Sequence, residues 1–311
     1  MTTTNFTGDG QQKTVEQVFC SSNLTAGLHG QLTFLSILNS FLSVTAFLGN
    51  VLILTALRKE SSLHPPSKLL LRSLATTDLC VGLTAEPLTV SYWMSAVNEH
   101  WDICRFVLHA SLFTESILCG VSLWTLTAIS VDRLLAMLLG ITYRQVVTLK
   151  RTYVIVITIW VVSIVLPALQ YWNPVVILWY WIIVIPLCLL TSIFSYSKLF
   201  LALRHHQNQV QGHERPNQTN QLNTARYKKA LSSAIWLQLT LIACYQPYGV
   251  IVALLTNSAL SSTVYHAWIY THTLVYLNST LNPILYCWKI DEVRQAVKDT
   301  IRQMLSYGFS T

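Results

Sequence analysis

Residues 175–194 read VVILWYWIIVIPLCLLTSIF and contain no charged side chain. Crossing ~30 Å of hydrocarbon takes roughly 20 residues of α-helix, because lipid offers no partner for an unpaired backbone group. The whole chain has the same character, since 52% of its residues are hydrophobic and only 11% are charged. Soluble domains carry about 25% charged residues. We therefore predict that residues 175–194 cross a membrane.

Six further apolar stretches of comparable length lie before and after this one. The seven predicted spans are 32–57, 69–93, 106–139, 152–169, 175–203, 231–255 and 264–288. We predict an all-α membrane protein with a seven-transmembrane helix bundle at 32–288. An extracellular tail at 1–31 precedes it, and an amphipathic cytoplasmic helix with a short tail at 289–311 comes after it. No internal repeat is visible, which gives no support to an inverted-repeat transporter.

The basic residues predict how the bundle is oriented. Only Lys13 and Arg105 lie in the segments on one side, and most of the others lie on the opposite side. Because cytoplasmic loops are the basic ones, the N-terminus is predicted outside a plasma membrane. Glycosylation sequons at Asn5 and Asn23 agree with that orientation. The net charge of +7 then lies mostly at the cytoplasmic face, where it suits anionic lipids better than nucleic acid.

Residues 289–305 have the pattern of an amphipathic helix. Apolar side chains recur at three- and four-residue intervals, at Ile290, Val293, Val297, Ile301, Met304 and Leu305. One apolar face on a charged helix is suited to lying along a membrane surface. A polar surface helix packed on nothing is the alternative.

Each predicted span also carries a short motif. The motifs are Gly49-Asn50 in the first span, Asp78 in the second, Asp132-Arg133 in the third, Trp160 in the fourth, Pro186 in the fifth, Tyr245 and Pro247 in the sixth, and Asn282-Pro283 with Tyr286 in the seventh. Together, and in this order, they resemble the rhodopsin-like (class A) G-protein-coupled receptors. The resemblance covers nearly the whole chain. It implies a receptor that transmits an extracellular ligand signal to a heterotrimeric G protein.

Other functional classes lack their own signals in this sequence. No HExxH, GxSxG or paired-Cys metal motif occurs, so an enzyme is not expected. A cation transporter using Asp78, Glu86 and Glu115 is one alternative to the receptor. A non-signalling seven-helix decoy or scaffold is the other.

Asp78 is a carboxylate near the middle of the second span. A charge at that depth costs about 2.5–3.5 kcal/mol on insertion scales, so Asp78 should face a polar interior with partners. The resemblance implies a sodium site at Asp78, with oxygen donors at the matching positions Ser122, Asn278, Ser279 and Asn282. A water-mediated hydrogen-bond network without an ion is the alternative. No other cofactor is expected.

The resemblance also implies a conformational switch at the cytoplasmic end. Asp132 would pair with Arg133 in the resting state. Activation would swing the sixth helix outward and open a groove for a helix of the G protein. Pro247 and Pro283 fit this motion, because each removes a backbone donor and kinks its helix. Kinks without motion are the alternative.

Four positions depart from the family pattern. Leu134 stands where a Tyr usually comes after the Arg, and Tyr245 replaces the usual sixth-helix Trp. Phe194 stands at the position of a fifth-helix Tyr that meets Tyr286, and Tyr227 replaces a Glu that many relatives pair with the Arg. The family residues that are replaced at these four positions help to hold the resting state. Because this chain lacks them, we predict appreciable basal signalling.

Two acidic residues define the predicted ligand site. Glu115 precedes Arg133 by eighteen residues, which is five helical turns, so both lie on one face about 27 Å apart. Glu86 lies two turns outward of Asp78. Two carboxylates near one pocket favour a cation, either an amine, a basic peptide or a divalent ion. The aminergic receptors carry an Asp at the position of Glu115, and melanocortin receptors also resemble this acidic pattern.

Aromatic residues complete the predicted pocket. Trp268, His272 and Tyr276 recur every fourth residue in the seventh span, and Tyr248 lies in the sixth. They are predicted to line the ligand site, with helix packing as the alternative. Glu115 could instead be a buried protonated acid that is hydrogen-bonded to Tyr276 or His272.

The family usually joins the third helix to the second extracellular loop by a disulfide. Here residues 170–174 contain no Cys, so that pairing is not available. Cys20 and Cys104 are both predicted to be extracellular and could pair in an oxidising compartment. Two free thiols are the alternative.

Overall fold

The computed structural model describes residues 15–25, 27–59, 63–169, 173, 175–211, 236, 239–255, 261–289 and 291–308. Within these ranges the chain is helical and contains no strand. The predicted all-α fold class is confirmed.

The membrane helices extend the predicted spans by a few residues at most ends. The second of them has three parts, with a single π-helical turn between two α-helical parts. In chain order the seven are His29–Lys59, then Pro65–Cys80 with Val81–Ala85 and Glu86–Val97, then Trp101–Leu139, Leu149–Ala168, Val175–Gln211, Leu239–Leu255 and Ser262–Lys289.

Four of these helices are by themselves long and apolar enough to cross a membrane. They are His29–Lys59, Trp101–Leu139, Leu149–Ala168 and, within the fifth helix, Val175–Ala202. The described part of the sixth, Leu239–Leu255, is a shorter apolar helix. The second and seventh helices contain many of the buried polar side chains, which lowers their apolar character without removing them from the bundle.

The first and second membrane helices approach each other closely at Gly82. A Cβ atom there would lie 2.8 Å from the backbone oxygen of Ser43 and 3.0 Å from the backbone nitrogen of Phe47. The Ser43 hydroxyl donates to the Gly82 carbonyl at 2.6 Å. Only glycine leaves room for this contact, which fixes the height of one helix against the other.

The π-helical turn Val81–Ala85 contains this contact. Pro87 comes shortly after it and has no backbone N–H, so the regular i to i−4 hydrogen bond cannot form at that residue. A π-helical turn holds one more residue than an α-helical turn and therefore rotates the next part of the helix about its axis. In this setting Glu86 is fully buried.

The last helix, Asp291–Gly308, packs on the bundle with part of its apolar face. Val293, Ala296 and Val297 are buried in the main core, whereas Ile301 is exposed. The Lys59 ammonium, at the end of the first membrane helix, donates to the side-chain oxygen of Gln303. The apolar face that we predicted for the membrane surface is therefore divided between the bundle and the exposed side.

Candidate functional site

Glu115 and His272 form a buried pair between the third and seventh helices. The His272 Nε2 lies 2.7 Å from the Glu115 Oε2, and the two residues are 1% and 4% exposed. The His272 Nδ1 lies 3.3 Å from the backbone oxygen of Trp268. Of the two predicted alternatives for a hydrogen bond to Glu115, the structure therefore has His272.

Both ring nitrogens of His272 face an oxygen. An imidazolium donates to both oxygens when Glu115 is ionised, and a neutral imidazole accepts from Glu115 when the acid carries the proton. Both arrangements place one proton in each of the two contacts of the ring.

Aromatic rings surround His272. The ring centroid of His272 lies 4.1 Å from that of Trp268, 5.1 Å from that of Tyr248 and 6.2 Å from that of Tyr276. The other three aromatic residues predicted for the ligand pocket are thus brought together around the histidine of the buried pair.

Tyr276 does not bind Glu115. Its hydroxyl instead lies 2.7 Å from the Thr89 hydroxyl, which lies 3.0 Å from the Ser111 hydroxyl. This chain of hydroxyls joins the second, third and seventh helices directly beside the buried pair. Of the two alternative partners of Glu115, Tyr276 therefore belongs to the chain of hydroxyls and His272 to the buried pair.

Glu86 is the second predicted acidic residue. It is fully buried, and neither carboxylate oxygen has a hydrogen-bond partner among the described residues. A buried carboxylate without a partner is strongly disfavoured, so Glu86 must hold a proton or meet a cation. The structure thus contains two buried acids of different surroundings, Glu115 with a histidine partner and Glu86 with no hydrogen-bond partner among the described residues.

Asp78 is satisfied on both carboxylate oxygens. Oδ1 accepts hydrogen bonds from the hydroxyls of Ser122 and Ser279, each at 2.9 Å, and Oδ2 accepts from Asn282 Nδ2 at 2.8 Å. Asn278 is buried as well, but its Nδ2 has no hydrogen-bond partner within the described part of the chain. One aspartate therefore connects the second, third and seventh helices.

The same residues fit a sodium ion in part. Each Ser hydroxyl donates to Asp78 and keeps lone pairs, and the carboxylate supplies negative charge, which suits a hard cation. Asn282 donates its side-chain nitrogen to Asp78 and so presents no oxygen to a sodium ion at that point. Asp78, Ser122 and Ser279 are the residues that would hold the ion.

Asp132 lies at the other end of the third helix. Its Oδ2 accepts from the Ser67 hydroxyl at 2.8 Å and its Oδ1 from the Tyr143 hydroxyl at 2.6 Å. Burial, together with this hydrogen bond, raises the pKa of Tyr143 to about 12, so the phenol keeps its proton. The guanidinium of Arg133 is 3.8 Å from Asp132 Oδ2. Asp132 is thus held mainly by neutral donors and only loosely by Arg133.

The remaining switch residues lie in the core. Tyr245 and Tyr286 are buried, and the Tyr286 hydroxyl has no hydrogen-bond partner among the described residues. Pro247 lies in the sixth helix, and Pro283 lies in the seventh. A Cβ on Gly49 would come within 3.2 Å of Pro283, so the first helix approaches the seventh closely at this proline.

The fifth helix corrects one sequence-based interpretation. Phe194, which we placed at the inward position opposite Tyr286, is 59% exposed. Tyr196 is the buried tyrosine of this region, and its hydroxyl accepts from the Ser130 hydroxyl of the third helix at 3.1 Å. The fifth helix therefore does present a tyrosine to the bundle, two residues after Phe194.

Several site residues had no sequence-based prediction. Ser111 precedes Glu115 by four residues, so helical spacing alone would have placed it on the same face. Thr89 and Ser67 lie beside predicted residues only because helices meet there. Tyr143 comes from a short helix after the third membrane helix, and nothing in its local sequence marks it as a partner of Asp132.

The structure joins Cys20 and Cys104 in a disulfide. The sequon residue Asn23 lies in the short helix Ser22–Thr25. Asn5 and Tyr227 lie outside the described residues.

The sequence matches known receptors over most of its length. The family model for the 7 transmembrane receptor (rhodopsin family) matches residues 49–174 and 165–286. Melanocortin receptor 5 of Rattus norvegicus is 26% identical over 280 residues, 84% of this chain and 82% of that receptor. Melanocortin receptor 4 of Danio rerio is 23% identical over 292 residues, 88% of this chain and 86% of that receptor.

A third relative is matched over a shorter stretch. Muscarinic acetylcholine receptor M3 of Rattus norvegicus is 28% identical over 149 residues, 48% of this chain and 24% of that receptor. The family match confirms the predicted resemblance and favours a receptor over an enzyme or a transporter. The chain belongs to the rhodopsin family of seven-transmembrane receptors, and it is therefore a multi-pass receptor of the plasma membrane.

Proposed function

We propose that this receptor binds a cationic extracellular ligand, an amine or a basic peptide, and signals to a heterotrimeric G protein by outward motion of its sixth helix. The observation that supports the proposal is that neither of the two acids, Glu86 and Glu115, is paired with a Lys or Arg among the described residues. Glu86 has no hydrogen-bond donor among the described residues, and the ionic partner of Glu115 is a histidine rather than a fixed cation. Both acids therefore can accept a positively charged group from a ligand.

A cationic ligand would act by exchanging partners. Its ammonium or guanidinium group would replace His272 beside Glu115 and break the contact between the third and seventh helices. The aromatic rings of Trp268, Tyr248 and Tyr276 would then face the cation, an arrangement that stabilises positive charge. The names of the relatives fit an amine or peptide ligand, since one is named for acetylcholine and the others are named for melanocortins.

The experiment is a screen of amines and basic peptides against ligand-dependent nucleotide exchange on G proteins. We expect Glu115→Gln to lower the potency of an active cation by about tenfold or more, because charge-assisted contacts of this kind contribute about 1.5–3 kcal/mol. Glu99→Gln is the matched control, since Glu99 is exposed in the turn before the third helix. Unchanged potency in Glu115→Gln would remove Glu115 from the ligand site. No exchange with any ligand at verified surface expression would favour the decoy.

The predicted topology is part of the same proposal. An N-terminus outside the cell places residues 15–25 and the Glu115 pair at the extracellular end of the bundle. An epitope tag at the N-terminus that antibody reaches on intact cells would support it. Loss of glycan on replacing Asn5 and Asn23 by Gln would be a second test.

We infer further that the Asp78 cluster holds a sodium ion in the resting state. The support is chemical, because a carboxylate and two hydroxyls from three helices converge on one point. A bound cation would neutralise Asp78 and hold those helices together, and its loss would accompany activation.

A further inference from the structure

The N-terminal segment, residues 15–25, covers the outer end of the bundle. It forms two short helices, Val15–Phe19 and Ser22–Thr25. The side chains of Phe19 and Leu24 are each 7% exposed. They pack in one apolar cluster with residues from the ends of the second, third, sixth and seventh membrane helices. A segment predicted to be a free tail is thus part of the folded core.

Two connections hold this segment in place. The Cys20–Cys104 disulfide ties it to the first turn of the third membrane helix. At its other end the chain runs on into the first membrane helix, through backbone hydrogen bonds from Leu28 to Thr25 and from Leu32 to Leu28. The segment is therefore anchored to two separate helices of the bundle.

Phe19 lies at the outer end of a column of contacts that leads to the buried pair. Its ring is 5.1 Å from the ring of Trp268 and 5.7 Å from that of Tyr265. Trp268 packs at 4.1 Å on His272, which binds Glu115 at 2.7 Å. Phe19 therefore covers Trp268, which packs on the histidine of the buried pair.

A neighbouring contact closes the second-helix side. The hydroxyls of Tyr92 and Tyr265 lie 2.9 Å apart, and both residues are fully buried. The connection between the fourth and fifth helices spans only 169–174, which is too short to fold across the bundle.

We propose that residues 15–25 form an anchored roof over the ligand site, and that Phe19 determines which ligands pass it. The proposal rests on the placement of the ligand site at Glu115 and His272. A ligand arriving from outside must separate Phe19 from Trp268, and a small opening suffices for a compact ammonium compound. The roof thereby selects small amines over extended basic peptides.

The native thiol of Cys119 makes this testable without a known ligand. Cys119 is buried on the third helix, one turn inward of Glu115. The receptor is prepared with its other free cysteines, Cys80, Cys188, Cys244 and Cys287, replaced by Ser. The rate of modification of Cys119 is then measured with two membrane-impermeant thiol reagents, a small trimethylammonium methanethiosulfonate and a bulky polyethylene glycol maleimide.

In the parent receptor the small reagent should react much faster than the bulky one, relative to their rates with a free thiol. Phe19→Ala should speed the bulky reagent by about tenfold, because it removes two aromatic contacts that favour the closed state. Phe19→Leu, which keeps an apolar side chain, should have a smaller effect. The double variant Cys20→Ser with Cys104→Ser should resemble Phe19→Ala, and it replaces that variant if Phe19→Ala does not fold.

Equal rates for the bulky reagent in the parent, Phe19→Ala and double-variant receptors would overturn the roof. The result is separate from the ligand proposal, because the reagents report access alone. If the roof variants open the site and no amine or peptide activates the receptor, the roof proposal is supported and the proposal of a cationic ligand is contradicted. If amines activate the receptor through Glu115 but access to Cys119 does not change, the ligand proposal is supported and the roof proposal is contradicted.

Discussion

Glu115 and His272 show how one side chain changes the chemistry of another. Considered alone, Glu115 is a buried acid that would need a cation from outside the protein, but His272 provides a partner within the protein at 2.7 Å. Glu86 has no such partner among the described residues. At the level of single residues, the site therefore contains one buried acid with an internal partner and one whose carboxylate has no hydrogen-bond partner among the described residues.

His272→Phe tests the internal pair. The substitution keeps a ring against Trp268 and Tyr248 but leaves Glu115 without its hydrogen-bond partner. We expect the receptor to lose about 1–3 kcal/mol of stability, the cost of an unsatisfied buried polar group. The measurement is thermal unfolding of the purified receptor in detergent. The double variant with Glu115→Leu should recover part of the loss, and an additive loss would contradict direct coupling.

The second membrane helix combines a close contact, a π-helical turn and a proline. Gly82 allows the first helix to approach, and the turn at Val81–Ala85 lies between Asp78 and Glu86. The two acids therefore lie on either side of an irregular turn, and its shape decides how Glu86 is presented. At the scale of elements, the ligand site depends on one local departure from α-helical geometry.

Gly82→Ala should force the first two helices apart. The new Cβ would lie 2.8 Å from the Ser43 backbone oxygen, and backbone cannot move away as a flexible side chain does. We expect a loss of about 1–3 kcal/mol in stability, as for other overpacking substitutions, seen as a lower unfolding temperature in detergent. Gly30→Ala is the matched control, because a Cβ at Gly30 meets nothing within 4 Å. Equal unfolding temperatures for the two variants would contradict the close contact.

At the scale of the whole molecule, three levels of polar contacts succeed one another along the bundle. The Glu115–His272 pair lies nearest the end of the bundle that carries the Cys20–Cys104 disulfide, the Asp78 cluster lies in the middle, and Asp132 with Tyr143 lies towards the opposite end. Each level joins the third helix to at least one other element of the chain. A change of partner at the outer level can therefore reach the others through rigid helices that share these contacts.

The middle level predicts a sodium effect. Replacing Na⁺ by N-methylglucamine should change basal nucleotide exchange in the parent receptor, because an ion at Asp78 would stabilise the resting arrangement. Asp78→Asn should remove the dependence on sodium, because it removes the negative charge that holds the ion. A sodium effect that persists in Asp78→Asn would place the ion elsewhere, and no effect in the parent would favour the hydrogen-bond network without an ion.

The contacts of Asp132 predict basal signalling. Arg133 is only loosely associated with Asp132, at 3.8 Å, because Ser67 and Tyr143 bind that carboxylate instead. We expect second-messenger levels above those of mock-transfected cells at verified surface expression. Arg133→Ala is the control and should return the signal to the background. Signalling equal to that of mock-transfected cells would contradict a weakly held resting state.

Sequence alone determined the features that depend on local spacing. Charge-free stretches of about 20 residues predict membrane helices whatever their neighbours are. The eighteen residues between Glu115 and Arg133 place both on one helix face by periodicity alone, and the motifs around Asp78 and Asn282 predicted residues that do meet, at 2.8 Å. These conclusions needed only the geometry of single helices and the order of the motifs along the chain, which resembles that of a known family.

The tertiary structure decided the contacts that depend on how the helices are rotated and how high each stands. It made His272, and not Tyr276, the hydrogen-bond partner of Glu115. It placed Tyr196, and not Phe194, in the interior of the bundle, and it made Tyr143 a hydrogen-bond partner of Asp132. It also brought Phe19 onto Trp268 from a segment that reads as a polar tail. Side chains far apart in the chain meet only after packing sets the rotation and height of each helix, so periodicity within one helix cannot name their partners.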